Sequence, residues 1–387
     1  MIILALIAAT AATSTPQRPD SAVFVTRLGA DTLVVERVVR TPRRIEAEVL
    51  MRVPRTTRTL YVADFSPEGD LMRLEGLTFD PRVAADPVRR ETITRDGDTL
   101  RVVIAATGAA ERTRAVAADK RALPFIDMVH WPFEPALMRL KASGAAQAQQ
   151  PLLSGSRVAD FGLAAVGADS ATITHPTRGT MRVRVDAQGR LLALDAGATT
   201  RKLVVERKPW MAIDQLADRW SADDAAGRSL GALSGRGEVK ATVAGAAIAV
   251  DHGTPAKRGR DIWGALVPYG VVWRTGANSA TGFTTDRDLI FGTGQRTLLV
   301  PAGAYTLFSI PEQSGGVLIV SRDTGQAGTA YDPAKDLGRV PLEARPLATP
   351  VEIFAIAVTP DGDGGLLRLQ WDRTEMVARF RVAPRPE

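Results

Sequence analysis

One feature constrains this chain most: apolar and polar side chains alternate with a period of two, and Asp/Gly turns break the alternation repeatedly. In "LLRLQWD", Leu367, Leu369 and Trp371 share one parity, while Arg368, Gln370 and Asp372 take the other. Successive strand residues point to opposite faces, so this pattern builds a sheet with one dry and one wet face. Met376, Ala378, Phe380 and Val382 likewise alternate with Val377, Arg379 and Arg381. The turns sit where hairpins need them: Leu28 to Asp31, Pro67 to Asp70, Asp96 to Asp98, Thr177 to Gly179, Ala187 to Gly189 and Asp361 to Gly365. An all-β fold of antiparallel hairpins follows.

Two interruptions set the organisation. "FEPALMRLKASG" starts near Pro135 and stops at Gly144, which predicts one short helix lying over a face or end of the sheet. His130, beside Trp131, has a packing or capping role there. "KPWMAIDQLADRWSADDAAGRSLGALSGRG" has partial helical spacing at Met211, Ile213, Leu216 and Trp220, then decays into Ala, Gly and Ser. The expected domains are a leader over residues 1–20, a curved antiparallel sheet resembling a half-barrel over 21–207, a helix and linker over 208–236, and a β-sandwich over 237–387. The sandwich should end in a three-strand meander with turns at Asp361 to Gly365 and Asp372 to Glu375.

Composition excludes several chemistries. The 387 residues contain no cysteine, so disulfides, thiolate metal sites and cysteine nucleophiles are absent. His130, His175 and His252 lie far apart with no metal-ligand spacing, and no bidentate Glu follows the Asp361 to Gly365 stretch at EF-hand distance. No metal and no cofactor is expected. The net charge of +6 comes from dispersed arginines and offers no basic stripe for nucleic acid. The apolar run Ile2 to Ala12 is too short to span a bilayer, and Ala9 and Ala11 offer a small-residue cleavage site. A signal peptide and a periplasmic or secreted protein are expected, with no transmembrane segment.

The densest polar and aromatic cluster is "GALVPYGVVWRTGANSATGFTTD", from Gly264 to Asp286. With its flanks it resembles the bacterial family catalogued as domain of unknown function 2911. The residues that carry the resemblance are His252-Gly253-Thr254-Pro255, Lys257 to Arg260, Gly264, Leu266 to Gly270, Trp273 to Asn278, Ala280-Thr281, Pro301 to Pro311, Glu352 and Trp371. It covers roughly residues 238 to 382, and it departs from the family where a Trp commonly follows the "IP" proline. The resemblance implies no established activity; family members commonly carry export signals, in line with the leader.

The ligand-binding residues expected from this stretch are His252, Arg258, Arg260, Tyr269, Trp273, Arg274, Asn278 and Tyr305. Guanidinium forks suit carboxylate, phosphate or sugar oxygens. Asn278 adds a donor and an acceptor. Trp273 and Tyr305 offer flat faces to a sugar ring. Alternatively, Arg274 forms a buried ion pair with Asp261 or Glu352 and the glycines only make turns. No G-x-S-x-G occurs, and adjacent strand residues Asp251 and His252 point to opposite faces, so no catalytic residue is assigned. The favoured reading is a non-catalytic envelope module for a polar small molecule or glycan. The rivals are a hydrolase using His252 with a nearby acid, and a structural or partner-binding envelope protein.

Overall fold

The structure, a computed structural model, describes residues 20–81 and 86–384. Apart from Asp20, the leader read in residues 1–20 lies outside the described residues. Among the described residues the fold is all-β, with two α-helices and two sheets, and each compact unit holds one of the sheets. Thr32–Ser229, with residues 20–27, forms the first unit. The first turn, Leu28–Asp31, groups with Leu230–Glu387 in the second.

The first unit is one fifteen-stranded sheet. In chain order its strands are β1 (Asp20–Leu28), β2 (Asp31–Thr41), β3 (Arg44–Met51), β4 (Thr57–Phe65), β5 (Leu71–Phe79), β6 (Arg89–Asp96), β7 (Thr99–Ala106), β8 (Ala109–Ala117), β9 (Leu123–Pro124), β10 (Gln147–Ser154), β11 (Arg157–Ala165), β12 (Ser170–His175), β13 (Gly179–Val185), β14 (Leu191–Asp195) and β15 (Val204–Lys208). Their spatial order runs from β8 back to β1, then β15 back to β9. Each hairpin pairs with the next, and only the short β9 runs parallel to its neighbour, β10. The hairpin meander expected from the sequence is what forms.

The helix read near Pro135 is α1 (Phe133–Ser143), which ends at Gly144 in the left-handed conformation. Buried charge docks it on one face of the sheet. Glu36 on β2 is fully buried and accepts hydrogen bonds from the backbone N–H groups of His130 and Trp131. Glu134, also fully buried, pairs with Arg40 and Arg207 and accepts from the Leu191 N–H at 2.9 Å. Buried carboxylates persist only when paired in this way. His130 is 4% exposed beside Glu36, the packing role expected of it. The second helix, α2 (Asp214–Ala225), lies on the opposite face of β1 to β3, where Ile213, Ala217 and Trp220 meet Val25, Val35 and Leu50.

The second unit is a nine-stranded antiparallel sheet folded over a single core. Its strands are β16 (Ser234–Val243), β17 (Ala246–Pro255), β18 (Thr281–Thr285), β19 (Leu289–Thr293), β20 (Arg296–Val300), β21 (Gly303–Glu312), β22 (Gly315–Ser321), β23 (Asp336–Asp361) and β24 (Gly364–Val382), ordered 16-17-18-21-22-23-24-19-20. Leu367, Leu369 and Trp371 enter the core as the alternation predicts, and so do Met376, Ala378 and Phe380. The turn expected at Asp372 to Glu375 is absent. β24 runs straight through it as one 19-residue strand. Odd residues face the core before Asp372 and even ones after it. A bulge explains the switch, because one extra residue reverses the parity of a strand. Asp372 has φ 53°, and the register with β23 shifts there. Arg368 and Glu375, of opposite parity, consequently meet on one face at 2.7 Å. Val377, expected on the wet face, is 2% exposed.

Candidate functional site

The Gly264 to Asp286 stretch is mostly a long coil between β17 and β18, held to the sheet by a few strong points. Trp273 and Ser309 exchange both backbone hydrogen bonds, at 2.7 and 2.9 Å. Thr275 Oγ1 meets Ser309 Oγ at 2.9 Å, and the Thr281 hydroxyl donates to the Thr275 carbonyl at 2.7 Å. The glycines permit close backbone approach. A Cβ on Gly253 would lie 2.0 Å from the Ala277 carbonyl oxygen, and Gly276 has φ 151°.

The aromatic residues of the stretch serve the core. Trp273 stacks on Trp371 with centroids 6.0 Å apart and an interplanar angle of 14°. Trp263 meets both edge-on, and Phe354 packs against Trp273 at 5.1 Å. Tyr305 is 9% exposed and its hydroxyl donates to the Pro301 carbonyl at 2.9 Å. The flat faces expected for a sugar ring are therefore turned inward. They are apolar bodies that release more free energy packed together than exposed.

Arg258 and Arg260 are electrostatic neighbours, and each is held by partners close by. Arg258 is 8% exposed, and its guanidinium donates to Asp31 and to the Leu230 carbonyl, within the same compact unit. Arg260 folds back on its own loop, donating to the Lys257 and Ala256 carbonyls. Tyr269 lies against Gly264, whose missing Cβ would stand 2.7 Å from the ring. Arg274 forms no ion pair with Asp261 or Glu352, and Glu352 accepts instead from the Arg258 backbone N–H at 2.7 Å. The Arg274 stem packs on Gly328, where a Cβ would lie 2.5 Å from its Cδ. Burial alone lowers its pKa from the usual value.

His252 is 4% exposed and sits edge-on to Phe354 at 5.7 Å. Burial lowers its pKa, opposed by Asp251, so the ring is neutral near pH 7. Nδ1 has no hydrogen-bond partner among the described residues. Among the described residues neither a carboxylate nor a hydroxyl meets Nδ1.

What the chain does build is a cleft of about 590 Å³ on the solvent face of β16, β17, β18 and β21. Its floor is made of small residues: Ala249 pairs with Thr284, Thr284 with Ala304, and Gly282 lies between Asp251 and Thr306. Arg236 and Asp251 form a two-pronged ion pair along one wall beside Glu238. Thr306, Thr324 and Gln326 line the other, and Asn278 to Ala280 close one end. Of the eight residues expected from sequence, His252, Asn278 and Tyr305 border this cleft; Arg258, Arg260, Tyr269, Trp273 and Arg274 do not. Sequence reasoning missed Arg236, Asp251, Gly282 and Gln326. The available clue was the run of Ala and Gly on the outward parity of β17, β18 and β21, where polar side chains are the norm.

The model of the family described as "Protein of unknown function (DUF2911)" matches residues 234–380, and no family model matches the N-terminal region. No curated protein matches the chain. Among solved structures, a DUF1089 family protein from Pseudomonas aeruginosa aligns at 11% identity over 43% of this chain and 90% of its own, with a TM-score of 0.31. A β-barrel-like protein of domain of unknown function DUF1849 from Brucella abortus aligns at 15% identity over 49% of this chain and 94% of its own, with a TM-score of 0.33. Likenesses at this level carry nothing about function.

Proposed function

We propose that the protein is an exported envelope protein, periplasmic or secreted, whose second unit is a non-catalytic module binding a polar small molecule or glycan. The observation that carries this reading is the cleft on the outer face of β16, β17, β18 and β21. Its volume falls in the range of small-molecule sites. Small residues keep the floor low, so a ligand reaches strand backbone and wall side chains together. The wall charges are matched, Arg236 with Asp251 and Glu238 with Lys240 outside the cleft, which favours a neutral or zwitterionic ligand. With Trp273 and Tyr305 turned inward, binding rests on hydrogen bonds rather than on ring stacking.

The test is a thermal-shift screen of the full chain against neutral sugars, polyols and amino acids, repeated on Gly282→Val. A Cβ at Gly282 meets nothing closer than 3.9 Å, so valine fills the floor without a backbone clash. A ligand that raises the transition of the wild type and not of the variant supports the reading. Equal shifts in both proteins place the ligand elsewhere and refute it.

A further inference from the structure

The first sheet carries a second concavity, on the face that also carries α1. Register places rows of side chains across it. Tyr61 on β4 pairs with Gly76, Gly76 with Glu91, Glu91 with Ile104, and Ile104 with Arg112 on β8. The next row runs through Leu74, Ile93, Val102 and Arg114. Gly76 lets the Tyr61 ring lie flat across the strand, since a Cβ there would stand 2.9 Å from the ring. Tyr61 and Trp131 approach at 6.2 Å, which ties this face to the start of α1.

Two adjoining cavities occupy the rows. One, of about 310 Å³, is bounded by Tyr61, Leu74, Ile93, Phe125, Ile126 and Leu153, with Thr59, Thr78, Glu91 and Asp127 between them. The other, of about 240 Å³, holds Arg112 and Arg114 beside Val102 and the small Ala106, Ala109 and Ala110. Arg89, Ile104 and Gly155 border both, so the two form one trough, with Tyr61, Leu74, Ile93 and Phe125 among polar Thr59, Thr78 and Glu91 at one end and Arg112 and Arg114 at the other. The carboxylates in the trough are already matched. Glu91 pairs with Arg89 at 2.7 Å, and Asp127 with Arg178 and Arg201. Arg112 and Arg114 have no carboxylate partner among the described residues, and two strand positions apart they point to one face.

We propose that this trough binds a single-chain amphiphile with an anionic head, the chain along Leu74, Ile93 and Phe125 and the head at Arg112 and Arg114. The Leu74, Ile93 and Phe125 side chains remove hydrocarbon from water, and each guanidinium of Arg112 and Arg114 offers a fork of donors to carboxylate or phosphate oxygens. Neither end alone selects this ligand: a short anion forgoes the burial, and an uncharged chain leaves the arginines unmatched.

Isothermal titration of the full chain tests it, with dodecanoate and dodecyl phosphate below their micelle-forming concentrations and with butyrate and dodecanol for comparison. The expected result is saturable binding of one or both long-chain anions, with butyrate and dodecanol at least about tenfold weaker. Arg112→Gln with Arg114→Gln, at exposed positions, should weaken the anion about tenfold, leave dodecanol unchanged and preserve the circular dichroism spectrum. Gly282→Val in the other unit should not alter this binding, which separates the proposal from the cleft. No saturable binding of either anion, or equal affinity in the folded double variant, overturns it.

Discussion

Trp273→Ala separates a core residue from a ligand platform. Trp273 stacks on Trp371, meets Trp263 edge-on and touches Phe354, so truncation opens a void among three aromatic rings. Full truncation of a buried Trp costs about 3–5 kcal/mol, and the loss includes ring contacts of about 0.5–1.5 kcal/mol each. Trp273 is partly buried, which sets the expectation at the lower end, about 3 kcal/mol. With a urea slope of about 2 kcal/mol/M, the midpoint should fall by about 1.5 M. Urea denaturation of the full chain, followed by far-ultraviolet circular dichroism and by Trp fluorescence, measures it. Trp273→Phe should recover about half of the loss, because a ring still fills the site. An unchanged midpoint with abolished binding of a cleft ligand would refute the packing assignment and restore Trp273 as a platform.

Three further outcomes are expected. Burial and then Arg178 lower the His175 pKa from 6.5 to about 4, so the unfolded chain takes up this proton first; stability is retained above about pH 6.5 and lost as pH falls towards about 4, and urea midpoints at about pH 7 and about pH 5 should diverge less in His175→Gln than in the wild type. Deleting Asp372 removes the bulge and would turn Met376, Ala378 and Phe380 to solvent, so the deletion should abolish folding while Asp372→Asn, which tolerates φ 53°, stays folded; soluble yield and circular dichroism distinguish them. Intact mass of protein from a native host should show the leader removed, and a full-length product starting at Met1 would sink the export reading.

Much of the fold was legible because it depends on local rules. Alternation gave the strands, Asp/Gly pairs gave the hairpins, and Pro135 with Gly144 bracketed α1. These follow from side-chain direction and backbone freedom within a few residues. The candidate site was legible only as a region. His252, Asn278 and Tyr305 reached the cleft, yet two of the three turn their rings inward.

The sequence by itself determined the alternation, and therefore an antiparallel all-β chain with one wet face on most strands. Tertiary structure decided which polar residues meet. Asp372 looked like a turn residue because Asp favours positive φ in turns and bulges alike; only the long register of β23 with β24 selects the bulge. Arg274 looked like half of an ion pair, and pairing depends on where Glu352 arrives from 78 positions away, beside the Arg258 backbone instead. The cleft floor needed four strands in register before Ala249, Gly282 and Ala304 became neighbours. Period-two patterns fix the face of a residue, while its neighbours across strands are set by pairing between distant segments.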